Sequence, residues 1–350
     1  FIGGGAPLSP GALSPGSGSV TVDRNRILGN LAGAGDGGGL ALVRTNGQDV
    51  DNSPNTFEDW HLISIVNNMI TNNVAGLAGG GVSLQDSAAA RILHNTIANN
   101  DSTATAGEAF PSLVGPTPGT TASTAQPAGL VSHAHSPELA AAMGADIPID
   151  PYSDFSNPQL FNNIIWQNRS FFWEIVGGEY SLTPRDPDQH WDLGVQGTPA
   201  ASLDPRFCLL TDATGYAPDN VTGNPGFVFD YLNGERTGTI IPEPRTGIQA
   251  PAALDEGGNF IKVLFGPLTL CNDTTPGNGD PGTCSDYHIL WGSPAIDKAN
   301  AAVTDWAPQL LVDFDDQPRT GTEVDIGADE LFGAPAFLPA IYLLLLSHSG

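Results

Sequence analysis

The sequence predicts an all-β chain wound as a right-handed parallel β-helix (a β-solenoid) with inserted loops, and three observations carry this prediction. The pattern Asn-x-Ile-x-x-Asn occurs four times, beginning at Asn25, Asn68, Asn95 and Asn163. A glycine triplet followed by apolar alternation occurs three times, beginning at Gly3, Gly37 and Gly79. With 43 Gly, 29 Pro and only 14% charged residues, the composition suits many short strands joined by turns. Self-similarity on this scale is typical of a solenoid.

Period-two alternation flanks the Asn-x-Ile-x-x-Asn repeats and indicates strands rather than helices. Val20 and Val22 precede the first repeat, and Ile63 and Ile65 precede the second. Alternation places every second side chain on one face of a strand. The central isoleucine of each repeat is therefore expected to point into a narrow apolar core, which would contain Ile27, Ile70, Ile97 and Ile165.

The asparagine that ends each repeat is predicted to lie at an equivalent bend between two strands. These residues are Asn30, Asn73, Asn100 and Asn168. Asparagine tolerates the left-handed backbone that such bends often require. Its amide can also donate to and accept from the asparagine one coil away, so the stacked amides would form a ladder that satisfies buried polar groups. The alternative is a set of exposed turn asparagines.

The spacing of these asparagines indicates the domain organisation. They are separated by 43, 27 and 68 residues, and the shortest interval is close to one coil. We therefore expect a β-helix over residues 1–270 with insertions near 101–156 and 183–199. An apolar tail strand is expected over 334–350. The stretch 136–147 inside the first insertion is predicted to contain one helix.

Charge limits the classes of partner. The net charge is −26, from 12 basic and 38 acidic residues, which disfavours binding to nucleic acid and to anionic lipid. No stretch reaches the roughly 20 apolar residues that a membrane helix needs, so no membrane span is expected. No organic cofactor is indicated, but an acidic surface tolerates cations, calcium in particular.

The three cysteines leave a disulfide open. Cys271 and Cys284 bracket a loop rich in Gly, Pro and Asp, and a disulfide between them would close that loop in an oxidising compartment. The alternative is two free thiols. Cys208 stays single in either case.

Three motifs near the C-terminus carry a family resemblance. They span Ser293–Asp297, Asp313–Arg319 and Asp325–Glu330. They resemble the C-terminal region of choice-of-anchor proteins of the Q type, which are bacterial surface proteins with pectate-lyase-like β-helices. Asp316 departs from the pattern, because the family usually has glycine there. The resemblance implies the β-helix fold, a closing region over 271–333 and an extracellular or cell-surface location. The apolar tail is similar to the endings of such proteins in Chloroflexi-like bacteria.

The charged residues of these motifs are expected to form a buried cluster that closes the last coils. The cluster would contain Asp297, Asp313, Asp315, Arg319, Asp325 and Glu330. An arginine held by several carboxylates is a strong structural lock. Calcium is the alternative occupant, since it binds clustered carboxylates and carbonyls.

Enzyme function was considered because β-helices also carry polysaccharide lyases and glycoside hydrolases. Such enzymes need two or more carboxylates directed at one groove. Acidic residues accompany His61 and His190, and His133 and His135 form a possible metal pair without an evident third ligand. Neither acidic group has the strand spacing that would direct two carboxylates from one face. We therefore assign no catalytic residue and keep the enzyme as an alternative.

The expected function is non-enzymatic: surface display, adhesion or assembly. A solenoid exposes its terminal coils, whose strand edges can pair with another chain. The tail strand is strongly apolar and includes Phe337, Ile341, Tyr342, Leu344 and Leu346. It either covers its own last coil or adds to a neighbouring copy, which would build a homopolymeric fibre or surface layer. A third hypothesis is an adhesin that binds cell-surface glycan through stacking aromatic residues; the alternative is that these residues form a core under a long loop. They are Phe171, Phe172, Trp173, Tyr180 and Trp191.

Overall fold

The computed structural model describes residues 1–110, 122–143, 154–176, 179–198, 200–230, 238–239 and 286–331. Short strands dominate this part of the chain, and nearly all of them pair in parallel. The described residues also form two short helices, α1 (Gln48–Asn52) and α2 (Pro137–Ala142). The all-β, parallel architecture predicted from the repeats is confirmed.

The strands follow one another in repeats of four. The first repeat contains β1 (Ile2–Gly3), β2 (Val20–Asp23), β3 (Arg26–Leu28) and β4 (Leu31–Ala32). The second contains β5 (Leu40–Val43), β6 (Ile63–Val66), β7 (Met69–Thr71) and β8 (Val74–Ala75). The third contains β9 (Val82–Gln85), β10 (Ala90–Leu93), β11 (Thr96–Ala98) and β12 (Asp101–Ser102). The fourth contains β13 (Leu130–His133), β14 (Gln159–Phe161), β15 (Ile164–Trp166) and β16 (Arg169–Val176).

Most of the strands that follow extend the sheets formed by these repeats. The strands that follow are β17 (Glu179–Pro184), β18 (Leu193–Gln196), β19 (Pro205–Arg206), β20 (Leu209–Leu210), β21 (Val221–Thr222), β22 (Phe227–Phe229), β23 (Gly238–Thr239) and β24 (Asp286–Ile289). Of these, β22 and β24 form a separate two-stranded sheet. Sheet 1 has the order β1-β5-β9-β13-β18, and sheet 2 has the order β2-β6-β10-β14-β19. Sheet 3 runs β3-β7-β11-β15-β20-β21. Sheet 4 runs β4-β8-β12-β16 and ends in the antiparallel strands β17 and β23.

One apolar core is shared by sheets 1, 2 and 3. The four central isoleucines of the repeats pair in register across sheet 3. Ile70, Ile97 and Ile165 are fully buried in this core, and Ile27, in the first repeat, is partly buried against it. The predicted inward direction of these side chains is confirmed. Like side chains therefore stack along the sheet, because each repeat places the same residue type at the same register position.

Two of the three glycine triplets stack on each other. The N–H groups of Gly38 and Gly39 donate to the carbonyls of Gly79 and Gly80, at 3.1 and 2.9 Å. The triplet that begins at Gly3 is not equivalent to them, because β1 lies before most of it whereas β5 and β9 follow their triplets. The first triplet therefore does not stack on the other two.

The regions predicted as insertions each contain a strand of sheet 1. β13 lies inside 101–156, and β18 lies inside 183–199. Each long interval therefore comprises loops on either side of a core strand. The predicted helix within 136–147 is confirmed as α2, whose N-terminus is capped by the Ser136 side chain.

The C-terminal segment, residues 286–331, packs on the outer faces of sheets 2 and 3. Its β24 pairs antiparallel with β22, and two 3-10 helices follow at Ala301–Trp306 and Pro308–Leu311. Tyr287 and Ile326 lie in a cluster with Met69 and Ile164 of sheet 3. The segment therefore covers the flank of several repeats rather than closing the last one.

Two predicted features lie outside the described residues. The first is the pair Cys271 and Cys284. The second is the tail strand with Phe337, Ile341, Tyr342, Leu344 and Leu346. In the described part of the chain, Cys208 is a free, buried thiol.

Candidate functional site

Hydrogen bonds connect Asn30, Asn73, Asn100 and Asn168 in series between sheets 3 and 4. In each step the backbone N–H and the side-chain Nδ2 of one asparagine donate to the Oδ1 of the next, at 2.9–3.1 Å. Asn30 is exposed, and the other three are fully buried. We call this series the 3–4 ladder.

The left-handed residue at each bend is not the ladder asparagine. It is the residue before it, which is Gly29, Asn72, Asn99 or Gln167. The expectation that the ladder residues themselves are left-handed is wrong. The ladder side chain points inward from an ordinary backbone conformation, and its predecessor makes the bend.

A second ladder, which was not predicted from the sequence, lies between sheets 2 and 3. Asn25, Asn68, Asn95 and Asn163 bond in the same way, at 2.9–3.1 Å. We call this series the 2–3 ladder. The signal was present, since these residues are the first asparagines of the same four motifs.

Each ladder continues into a residue that is not asparagine, and the 2–3 ladder passes through Cys208 to Asn220. The N–H of Asn163 points at the Cys208 Sγ at 3.4 Å, and the N–H of Cys208 donates to the Asn220 Oδ1 at 2.9 Å. Burial raises the pKa of the Cys208 thiol to about 12, so it stays neutral. Cys208 thus occupies a ladder position.

Asp192 ends the 3–4 ladder. Its Oδ1 accepts from the N–H and the Nδ2 of Asn168, at 3.0 and 2.8 Å. Burial raises the pKa of Asp192, and hydrogen bonds from Thr211 and Asn168 oppose that rise.

Four outward-facing asparagines hold the C-terminal segment; we call them the outer asparagines. They are Asn67, Asn72, Asn99 and Asn162, all left-handed and each directly before a ladder residue. Their main contacts are short. The Asn67 Nδ2 donates to the Gln309 carbonyl at 2.9 Å, and the Asn162 Oδ1 accepts from the N–H of Asn300 at 2.8 Å.

Tyr287 joins the other two outer asparagines. The Asn99 Nδ2 donates to the Tyr287 hydroxyl at 2.9 Å, and that hydroxyl donates to the Asn72 Oδ1 at 3.1 Å. The Asn-Asn doublets in the sequence were the available signal. One asparagine of each doublet faces the core and the other faces the C-terminal segment.

Arg319 lies at the centre of the charged cluster and is buried. Its Nη1 donates to the Asn67 Oδ1 at 2.6 Å and to the Val312 carbonyl at 2.8 Å. Its Nη2 donates to the Gly327 carbonyl at 2.9 Å. Its Nε lies 3.5 Å from the Glu330 Oε2. The guanidinium therefore connects the outer face of repeat 2 to two turns of the C-terminal segment.

The carboxylates of the cluster chiefly accept backbone hydrogen bonds. Asp313 accepts from the N–H groups of Gln317 and Glu330, at 2.7 and 2.9 Å. Asp325 accepts from the N–H groups of Asp297 and Leu331, both at 2.8 Å. Backbone N–H groups therefore satisfy part of the acceptor capacity of these carboxylates.

Burial sets the protonation of Glu330. It raises the pKa of Glu330 to about 7, and a hydrogen bond from the N–H of Asp325 and the charge of Arg319 oppose the rise. Burial likewise raises the pKa of Asp325.

Asp315 is directed away from Arg319 and belongs to a separate group. Its Oδ2 lies 2.6 Å from the Nε2 of His288, whose Nδ1 contacts Asp286. The neighbouring Asp316 pairs with Arg24 of the first repeat. Asp316 is left-handed, with φ of 66°, which explains why glycine suits this position of the motif.

The histidines considered for catalysis or metal binding form separate pairs with acids. His133 lies on β13, with its Nε2 3.1 Å from the Asp36 Oδ2, and the His135 Nδ1 lies 3.5 Å from the Asp86 Oδ1. The His190 Nδ1 lies 3.2 Å from the Asp188 Oδ1. The structure does not bring His133 and His135 together around one site.

The aromatic residues considered for glycan stacking are distributed between two places. Phe171 and Trp173 are buried with Leu182 in a small satellite core. Trp191 is covered by the guanidinium of Arg185, 4.6 Å from the ring centroid. These residues therefore do not form one flat surface.

Comparison of the chain with known protein families, with curated proteins and with solved structures finds no match. Within the described ranges, no helix combines the length and apolar character that crossing a bilayer requires.

Proposed function

We propose that the four sheets are the faces of one right-handed parallel β-helix, and that the protein is a non-enzymatic structural protein of the extracellular space or cell surface. Support for the fold comes from the constant order in which the chain visits sheets 1 to 4. Each strand of one repeat pairs in register with its counterpart in the next. Crossover connections between parallel strands are right-handed in about 98% of proteins.

The observation that carries the structural role is the covering of sheets 2 and 3 by the C-terminal segment. A β-helix enzyme that cleaves polysaccharide needs an open strand face with convergent carboxylates. Here Tyr287, Ile326 and the Arg319 cluster pack on that flank and are buried there. The flank therefore serves to hold the protein's own chain.

An extracellular location is supported by the chemistry of the surface and by the resemblance to choice-of-anchor proteins. The net charge of −26 favours solubility. It also makes copies of the protein repel one another, so copies associate only through specific contacts. The shared backbone hydrogen bonds and two continuous ladders make a rigid body, as display or assembly requires.

Assembly is proposed to use the tail strand. The strands β1 to β4 form one edge of the described sheets, and edge strands accept a further strand. Along this edge the Oδ1 atoms of Asn25 and Asn30 accept no hydrogen bond from other described residues, whereas the equivalent atoms in later repeats each accept two. The tail of a second copy would occupy this edge and produce a head-to-tail fibre.

Negative-stain microscopy and size-exclusion chromatography of three forms test this proposal. The forms are the full chain, a full-length double variant Ile341→Asp/Leu344→Asp, and the control Ser347→Asp. We expect filaments from the full chain and the control, and monomers from the double variant. Monomers in all three forms would contradict assembly through the tail. Release of oligosaccharides from a panel of acidic and neutral polysaccharides would contradict the non-enzymatic role.

A further inference from the structure

His288, Asp315 and Asp329 bring three metal-ligand atoms together, all within 4.8 Å of one another. His288 lies on β24, Asp315 lies in the turn that follows Asp313, and Asp329 precedes Glu330. The Nε2 of His288 lies 2.6 Å from the Oδ2 of Asp315. Residues from three separate parts of the C-terminal segment therefore converge on one point.

Asp286 orients the histidine. It lies two residues before His288 on the same strand, and its carboxylate contacts the Nδ1 of the imidazole. A carboxylate in this position accepts the Nδ1–H and leaves the Nε2 lone pair free for a metal ion. This carboxylate–histidine pair is the usual support of a metal-binding imidazole.

The buried carboxylate of Asp329 accepts few hydrogen bonds from the described residues. The residue as a whole is only 4% exposed. Its Oδ2 accepts one hydrogen bond, from the N–H of Ile289 at 2.8 Å, and its Oδ1 accepts none from the described residues. A buried carboxylate that accepts a single hydrogen bond is stabilised by a cation placed beside it, and His288 is the only cationic side chain that the cluster itself offers among the described residues.

We propose that His288, Asp315 and Asp329 bind a divalent transition-metal ion of the zinc class, with a water molecule as the fourth ligand. One imidazole and two carboxylates match the nitrogen and oxygen ligands of zinc at about 2.0–2.2 Å. Calcium takes six to eight oxygen ligands and has no preference for imidazole. The choice of metal therefore differs from the calcium considered for the neighbouring Arg319 cluster.

Little movement is needed to admit the ion. Two ligands of a tetrahedral zinc lie about 3.3 Å apart, so the contact between His288 and Asp315 must lengthen by less than about 1 Å, and a ligand pair at the 4.8 Å limit must shorten by about 1.5 Å. The Asp315 side chain is 43% exposed and is free to rotate outward. The ion would then fasten β24 to the two turns that carry Asp315 and Asp329, and so hold the cover on sheets 2 and 3.

Titration calorimetry of the full chain, stripped with a chelator, tests the site with Zn²⁺, Co²⁺ and Ca²⁺. We expect one equivalent of Zn²⁺ or Co²⁺ to bind, visible absorption from tetrahedral Co²⁺, and much weaker binding of Ca²⁺. Asp329→Asn should weaken Zn²⁺ binding at least tenfold, while its amide oxygen still accepts from the N–H of Ile289. Asp286→Asn should weaken it by about 10–100-fold through the histidine.

The controls separate this site from other histidine–acid pairs and from misfolding. His190→Gln removes an exposed two-residue pair and should leave Zn²⁺ affinity unchanged. If Asp329→Asn unfolds, as judged by circular dichroism, then Asp315→Ala replaces it, because Asp315 is exposed and its loss should not disturb packing. Absence of stoichiometric Zn²⁺ binding by the wild-type chain overturns the proposal. Equal Zn²⁺ affinity of wild type and Asp315→Ala, or equal affinity for Ca²⁺ and Zn²⁺, overturns it as well.

Discussion

Removing one amide from the middle of the 3–4 ladder should cost far more stability than removing one from its exposed end. In the middle, the Oδ1 of Asn100 accepts from the N–H and the Nδ2 of Asn73, both at 3.0 Å. The Nδ2 of Asn100 donates to the Ile70 carbonyl and to the Asn168 Oδ1, both at 2.9 Å. Asn100→Ala removes all four hydrogen bonds inside a buried bend.

The cost follows from the partners that stay behind. The Asn73 N–H loses its acceptor, and the Ile70 carbonyl loses its side-chain donor, while the Asn168 Oδ1 keeps the N–H of Asn100. A buried polar group left unsatisfied costs about 1–3 kcal/mol, and each other lost hydrogen bond costs about 0.5–1.5 kcal/mol, so we expect a loss of about 2–5 kcal/mol in the free energy of unfolding.

The matched control is Asn30→Ala at the exposed end of the same ladder. Its Nδ2 donates to the Asn73 Oδ1 at 2.9 Å, and that oxygen still receives the N–H of Asn30 at 3.0 Å. Water can replace the lost bond, so we expect a loss of about 1 kcal/mol.

Urea unfolding followed by tryptophan fluorescence measures both variants against the wild type. The comparison requires equal m-values, since a changed slope would indicate a changed unfolding transition. Equal losses in the free energy of unfolding for Asn100→Ala and Asn30→Ala would refute the reasoning. Burial of the ladder would then make no contribution to stability.

Three further predictions concern other contacts. Gly81→Ala places a Cβ 2.5 Å from the Gly129 carbonyl oxygen and 2.8 Å from the Ile97 Cγ2, so it should cost about 1–3 kcal/mol; an unchanged Tm contradicts this. Arg319→Met removes the donors to the Asn67 Oδ1 and to the Val312 and Gly327 carbonyls and leaves Glu330 without its ion pair, so it should cost about 3–5 kcal/mol, with faster proteolysis of the C-terminal segment; wild-type protease resistance contradicts it. Burial raises the pKa of Asp192 in the native state above its ordinary value of 3.8. At pH values between 3.8 and that raised pKa, the native state binds more protons than the unfolded state. Stability then falls as pH rises through that window, by at most about 1.4 kcal/mol per pH unit, and Asp192→Asn should flatten the slope measured by urea unfolding.

The parts of the fold that depend on local pattern were predictable. Val20, Val22, Ile63 and Ile65 alternate on strands that pair in register, as period two requires. The spacing of 27 residues between Asn73 and Asn100 equals one repeat of the structure. Repetition makes these inferences possible, because equivalent residues must satisfy equivalent neighbours in each repeat.

The candidate site was predictable only in part. The sequence placed Arg319, Asp313 and Asp325 in one cluster but did not separate Asp315, which faces His288 instead. Spacing alone could not make that distinction, since residues 313 and 315 belong to one turn whose side chains diverge. His288 was not considered at all, because its partners lie 27 and 41 positions further along the chain.

Residue types and their repetition thus determine the strands, the inward isoleucines and the presence of amide ladders, because these depend on neighbours that recur at fixed intervals. Tertiary packing alone decides where the C-terminal segment lies. Asn67 contacts Arg319, and Asn162 contacts Asn300, across 252 and 138 residues of chain. No periodicity connects such residues, and their pairing follows from the shape and hydrogen-bonding groups of the face that the assembled repeats present.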